Sequence, residues 1–178
     1  KKYEFDLLLY IFKETIIIPE KMANKVPYLN LNEELLQKIK ENGGWVNAHA
    51  HFDRAYTITP ELFQKVNTKR HEKWKLNEEI RPSSTVSQIY DRMAQSLERM
   101  IDQGGTATVS YIDVDPDIED RAIQAAQKVR EAYKSQITIK YTNQTPRGIF
   151  EKERRKWFDI GAEFVDIVGG TVKTGAPE

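Results

Sequence analysis

The sequence predicts an α/β fold built on parallel strands, and three observations carry that prediction. From Gly43 onward, short β-rich runs alternate with stretches whose apolar residues recur at helical spacing. Each strand–helix unit takes roughly 30 residues, enough for a crossover between parallel strands. Glycines, prolines and capping side chains stand at the junctions where elements should start and stop.

The elements follow in order. Residues 1–42 form an N-terminal extension, and 43–178 carry the strand–helix rhythm. Within the extension, Phe5–Ile18 is apolar-rich but interrupted by Asp6, Lys13 and Glu14. It is too short and too charged to span a bilayer, has no small-residue cleavage site, and fits neither helix nor strand securely. Leu35, Leu36 and Ile39 predict a short helix after Asn32. Trp45–Ala48 is a strand after the Gly43-Gly44 turn, and it delivers His49-Ala50-His51-Phe52-Asp53. A polar segment runs from about Thr57 to Pro82. Ser84 or Thr85 then caps a helix carrying Val86, Ile89, Met93, Leu97, Met100 and Ile101, which Gly104-Gly105 stops.

Thr106–Ile112 is the next strand, ending in Asp113-Val114-Asp115-Pro116. Asp115 reads as an N-cap with Pro116 at the first position of a helix that continues to about Lys134. Ile137–Tyr141 is a third strand ending in Thr142-Asn143-Gln144. Phe150–Ile160 is a third helix, stopped by Gly161, and Phe164–Val168 is a fourth strand before Gly169-Gly170. No internal repeat or low-complexity tract is present.

Composition narrows the function. The chain has 178 residues, with 39% apolar and 30% charged residues, and 27 basic balance 27 acidic groups. Neither nucleic acid nor an anionic membrane is expected as a partner. With no cysteine, disulfides, thiolate metal sites and a cysteine nucleophile are excluded. Any metal must be held by His, Asp, Glu or a modified Lys. A cytoplasmic protein is the expectation.

His49 and His51 lie one residue apart at the end of a strand, where period-two alternation points them to one face. Two imidazoles could share one ion, zinc and iron among the candidates. The alternative is a pair of loop histidines bonded to backbone, and spacing does not decide between them. Asp53 could orient a ligand histidine, although a turn role is the simpler reading. Asp115 is explained by capping, which leaves Asp113 as a modest site candidate. His71 and Lys173 read as solvated residues, 152–156 as a charged helix face, and Trp45, Trp74 and Trp157 as packing residues.

Asn47-Ala48-His49-Ala50-His51-Phe52-Asp53-Arg54 resembles the first-strand signature of the amidohydrolase superfamily, most closely its cytosine deaminase branch. Tyr111–Asp115, Tyr141–Gln144 with Gly148-Ile149, and Gly161–Gly170 resemble that branch's next three strand ends, in the same order. The resemblance implies a partial (βα)8 TIM-type barrel, about the first four βα units. It implies a metal-dependent hydrolase cleaving C–N bonds of cyclic amidine or amide substrates with a metal-activated water. His49 and His51 would be metal ligands for a divalent ion, zinc or iron. Gln144 would contact a nitrogen-heterocycle substrate, a loop glutamine bonded to backbone being the alternative.

The family's remaining ligands and its acid/base residue belong to the later half of its barrel. They are expected beyond Glu178, so the chain alone should be inactive. The family's small β-sandwich is not evident in 1–42. A homo-oligomer is expected. An open half-barrel would leave residues such as Val46, Val109, Ile139 and Ile167 facing water. Two other readings stand beside this one: a non-catalytic folding or assembly module, and another His-x-His hydrolase such as a phosphoesterase. The lack of clustered Lys/Arg at the strand ends disfavours the phosphoesterase.

Overall fold

The computed structural model describes residues 31–63, 79–146 and 148–169. The segment Phe5–Ile18, His71, Trp74, Gly170 and Lys173 lie outside the described residues. The chain divides into two compact units, Lys1–Gln37 and Lys38–Glu178. The described part of the first is the opening of helix α1 (Leu31–Glu41), in which no residue is buried.

The second unit is α/β. A three-stranded parallel sheet has the order β1 (Trp45–Ala50), β2 (Gly105–Asp113), β3 (Thr138–Gln144). A 3-10 turn, Phe52–Arg54, and the short helix α2 (Pro60–Phe63) follow β1. The crossover helices are α3 (Val86–Asp102) and α4 (Arg121–Tyr133), and α5 (Lys152–Phe164) follows β3. The core lies between one face of the sheet and α3 and α4. It includes Ile89, Met93, Leu97, Ala125, Ala126 and Val129 from the helices, with Ile112 and Tyr141 from the strands.

Thr85, one of the two expected caps, starts α3 with a reciprocal capping box: its hydroxyl accepts from Gln88 N while the Gln88 side chain accepts from Thr85 N. Gly104, at φ +83°, ends the helix and turns the chain directly into β2.

The sequence reading needs four corrections. The second crossover helix begins at Arg121 rather than Pro116, because Glu119 sits at φ +55° and breaks helical geometry. Asp115 still caps, but it caps a turn: Oδ1 accepts from Asp117 N and Ile118 N. Gly161 does not stop the third helix. Its bare α-carbon lets α5 pass close to the sheet, since a Cβ there would meet Val114 and Asn143 atoms at 3.1–3.2 Å. The fourth strand shrinks to a single parallel bridge, Thr142 with Ile167, because α5 consumes residues through Phe164.

The fourth correction concerns the sheet's two faces. Ile139 is buried on the helix side, while Val46 is 61% and Ile167 49% exposed. In the register Thr108–Ile139, Ser110–Tyr141 and Ile112–Asn143 face the helices, and Val109 and Tyr111 face the other way.

Candidate functional site

The site lies at the C-terminal edge of the sheet and begins with an irregularity in β1. Val46 pairs with Ala107 and Asn47 with Thr108, but Ala50 pairs with Ser110. Three steps along β1 match two along β2, so one extra residue bulges between Asn47 and Ala50. The bulge returns Ala50 to the helix side, where it is buried, and leaves His49 exposed and His51 half-buried beside Tyr111. The His49 and Tyr111 rings are 4.6 Å apart, and the His51 ring stacks on Tyr111 at 5.1 Å and 25°.

The two imidazoles converge, with His49 Nε2 3.2 Å from His51 Nε2. In one tautomer that is a hydrogen bond. It is also close to the roughly 3.3 Å separating two nitrogens at ~2.05 Å from a tetrahedral ion. The donor pair therefore fits two adjacent positions of a metal shell. Among the described residues no cluster of three or more His, Cys, Asp or Glu could complete it. Burial, then the positive charge of Arg54 and the neighbouring His49, hold His51 below its usual pKa against the pull of Asp113. That favours the neutral ring a metal ligand requires.

Behind the pair lies a buried charge network that the sequence reading did not assemble. Asp113 receives Arg54 as a two-pronged fork, Nε to Oδ2 at 2.7 Å and Nη2 to Oδ1. Arg81 lies between two carboxylates, with Nε 2.8 Å from Asp113 Oδ2 and Nη2 on Asp115. Asp53 Oδ2 accepts from Asp113 N at 2.9 Å. Burial, and then the Asp113 carboxylate, push the Asp53 carboxyl up to about 7. Asp53 thus secures a turn, and no hydrogen bond joins it to either histidine, in keeping with the simpler reading of that residue. Asp53, Arg54, Arg81, Arg92 and Asp113 line a cavity of about 20 Å3, room for one water. Two signals for the network were present in the sequence: Arg54 beside the His-x-His, and Asp113 at the matching strand end.

Gln144 lies at the end of β3, where the register pairs it with Asp113. It shares the C-terminal edge with the histidines but belongs to the strand beyond β2. His49, His51 and Tyr111 are brought together, and Gln144 stands one strand away.

No protein-family model matches the chain. An uncharacterized protein of Haemophilus influenzae is 50% identical over 143 residues, covering 79% of this chain and 50% of that protein. The N-isopropylammelide isopropyl amidohydrolase of Pseudomonas sp. (strain ADP) is 26% identical over 135 residues, covering 71% of this chain and 33% of that enzyme. The chain thus spans a third to a half of the length of these relatives.

Among solved structures, the 5-methylcytosine deaminase of Klebsiella pneumoniae liganded with 5-fluorocytosine aligns with a TM-score of 0.60 at 22% identity. The alignment covers 71% of this chain and 30% of that one. The N-isopropylammelide isopropylaminohydrolase of Burkholderia multivorans aligns with a TM-score of 0.52 at 18% identity, covering 70% and 31%. At these identities the likeness to both structures is one of fold, and the sequence similarity to amidohydrolases is distant. No helix among the described residues is long and apolar enough to cross a membrane.

Proposed function

We propose that this chain is the N-terminal part of a metal-dependent hydrolase that cleaves C–N bonds in cyclic amidine or amide substrates. The observation that carries the proposal is the 3.2 Å convergence of His49 Nε2 and His51 Nε2 at the C-terminal edge of a parallel sheet. Functional groups of (βα) barrels gather at that edge. The names of the distant relative and of the two solved structures, two isopropylammelide hydrolases and a 5-methylcytosine deaminase, support amine-bearing nitrogen heterocycles as the substrate class.

In this reading His49 and His51 hold a divalent ion, zinc or iron, through their Nε2 atoms. When bound, such an ion supplies the electrostatic pull that brings the pKa of water toward about 7. Tyr111, stacked on the His51 ring and in tilted contact with the His49 ring, limits their rotation. Gln144 offers one amide donor and one acceptor to the polar edge of a planar ring. We assign the remaining ligands and the acid/base group to positions outside the described residues, so the 178-residue chain alone is inactive. The partial barrel, a homo-oligomer and a cytoplasmic location belong to the same proposal. The 61% exposure of Val46 and 49% exposure of Ile167 support a sheet completed by further strands.

Metal analysis tests the reading. The complete protein purified without chelator should carry stoichiometric zinc or iron, and its double variant His49→Ala, His51→Ala should carry none. The 178-residue chain alone should bind metal weakly at most, because two imidazoles fill only part of a coordination shell. Full metal retention by the double variant would reject the assignment.

A further inference from the structure

We propose that Asp113 and Arg54 are positioning residues for the histidine pair, a clamp that sets the Nε2–Nε2 separation from the neighbouring strand. The inference rests on the metal-ligand reading of His49 and His51 and deepens it.

His51 is the last residue before the 3-10 turn Phe52–Arg54, and its carbonyl accepts from Arg54 N at 3.2 Å. The orientation of that turn therefore fixes the backbone from which the His51 ring projects. Three contacts tie the turn to the end of β2. Phe52 N donates to Ser110 Oγ at 3.2 Å. Asp53 Oδ2 accepts from Asp113 N at 2.9 Å. The Arg54 guanidinium grips Asp113 through both prongs.

Asp113 thus engages the turn with its backbone and its side chain together. At 2% exposure Asp113 is shielded from bulk solvent. Arg81, itself 7% exposed, adds a second buried positive charge, with Nε 2.8 Å from the same Oδ2 that Arg54 Nε contacts. A bidentate fork fixes direction as well as distance, which a single point charge does not. The β1 bulge makes such a tether necessary, because the strand-pairing register is interrupted immediately before the histidines. No contact joins Asp113 or Arg54 to an imidazole nitrogen in the hydrogen bonds of the site. Their effect passes through the backbone of 51–54, unlike a carboxylate bonded directly to a ligand ring.

Cobalt(II) titration of the metal-stripped complete protein, followed by its visible absorption, gives the metal affinity without reference to turnover. Asp113→Asn removes the charge that answers the fork. Arg54→Lys keeps the charge, loses the fork, and covers the case in which Asp113→Asn does not fold. The clamp predicts that each raises the Co2+ dissociation constant at least 10-fold, the size expected for losing an outer-shell support. Asp166→Asn, in the segment after α5 that bonds to Lys140 and Tyr141 of β3, controls for general destabilisation and should leave the constant within 2-fold of wild type. If His49→Ala, His51→Ala loses Co2+ while Arg54→Lys binds it within 2-fold of wild type, the clamp is overturned and the ligand pair stands. If the double histidine variant binds Co2+ like wild type, the ligand reading fails and the clamp fails with it.

Discussion

Removing the Asp166 carboxylate should loosen the segment after α5 from the sheet by a measurable amount. Asp166 N and Ile167 N both donate to Tyr141 O, at 3.0 and 3.1 Å. The Asp166 side chain returns the contact: Oδ2 accepts from Tyr141 N at 2.9 Å and from Arg130 Nη2 at 2.6 Å, and Oδ1 accepts from Lys140 Nζ at 3.1 Å. A hydrogen bond from backbone to a charged acceptor contributes about 1.5–3 kcal/mol. The two ion pairs are partly exposed and screened, so together they add no more than about 1 kcal/mol. Asp166→Ala should therefore cost about 2–3 kcal/mol. Asp166→Asn keeps a neutral acceptor for Tyr141 N and should cost about 1.

For a chain of this size, 1 kcal/mol corresponds to roughly 2–4 °C in Tm. Burial works to raise the Asp166 pKa, and the Tyr141 N–H, Lys140 and Arg130 outweigh it and hold the group below its ordinary value. A depressed folded pKa means that the stability is fully present above the unfolded pKa and is lost as pH falls through the lower folded one. Urea unfolding followed by circular dichroism should therefore show the gap between wild type and Asp166→Asn at pH 7, closing below about pH 3.9. If both variants unfold with wild type at pH 7, within about 0.5 kcal/mol, Asp166 does not anchor this segment.

Three further outcomes follow from the packing and the site. Gly161→Ala gains about 1 kcal/mol of helix propensity. Its new Cβ would press on Val114 and Asn143, both 0% exposed, and overpacking of about 1–3 kcal/mol should make the net effect destabilising in the same urea assay. Leu97→Ala, at a fully buried position of α3, should lower unfolding free energy by about 3–4 kcal/mol. In the complete enzyme Gln144→Ala should reduce kcat/KM for pyrimidine and triazine amines with metal content unchanged, and equal kcat/KM across such a panel would remove Gln144 from the site.

Where the sequence could be read, local chemistry agreed with the tertiary outcome. The apolar spacing from Val86 to Ile101 has one solution, an amphipathic helix, and Thr85 and Gly104 bound it by capping and positive φ. It could not be read where a residue has two uses and packing chooses between them. Gly161 is as good a helix stop as it is a place for a helix to approach a sheet, and only the closeness of Val114 and Asn143 decides. Asp115 next to Pro116 reads as a helix start, yet Glu119 takes a left-handed conformation and delays the helix to Arg121. Arg54, Arg81 and Asp113 are separated by 27 and 32 positions in the chain. Only the parallel sheet and its crossover bring their charges into one network.

The histidine pair shows the same division on a smaller scale. Period-two alternation requires His49 and His51 to share a face, but it does not say which face. Counted from Asn47, which is paired with helix-facing Thr108, an unbroken strand would turn both residues toward the helices. Two imidazoles would then be buried among Ile89, Met93 and Leu97, with polar nitrogens and no water. The extra residue between Asn47 and Ala50 reverses the phase: the small Ala50 goes to the core, and the rings go to the open side beside Tyr111. Alanine at 50 suits the reversal, because its small apolar side chain joins the buried core cluster that also holds Phe52. The bulge belongs to the pairing of β1 with β2, two strands whose paired residues lie 60–61 positions apart in the chain, as Trp45 with Gly105 and Val46 with Ala107, and not to the His-x-His motif itself.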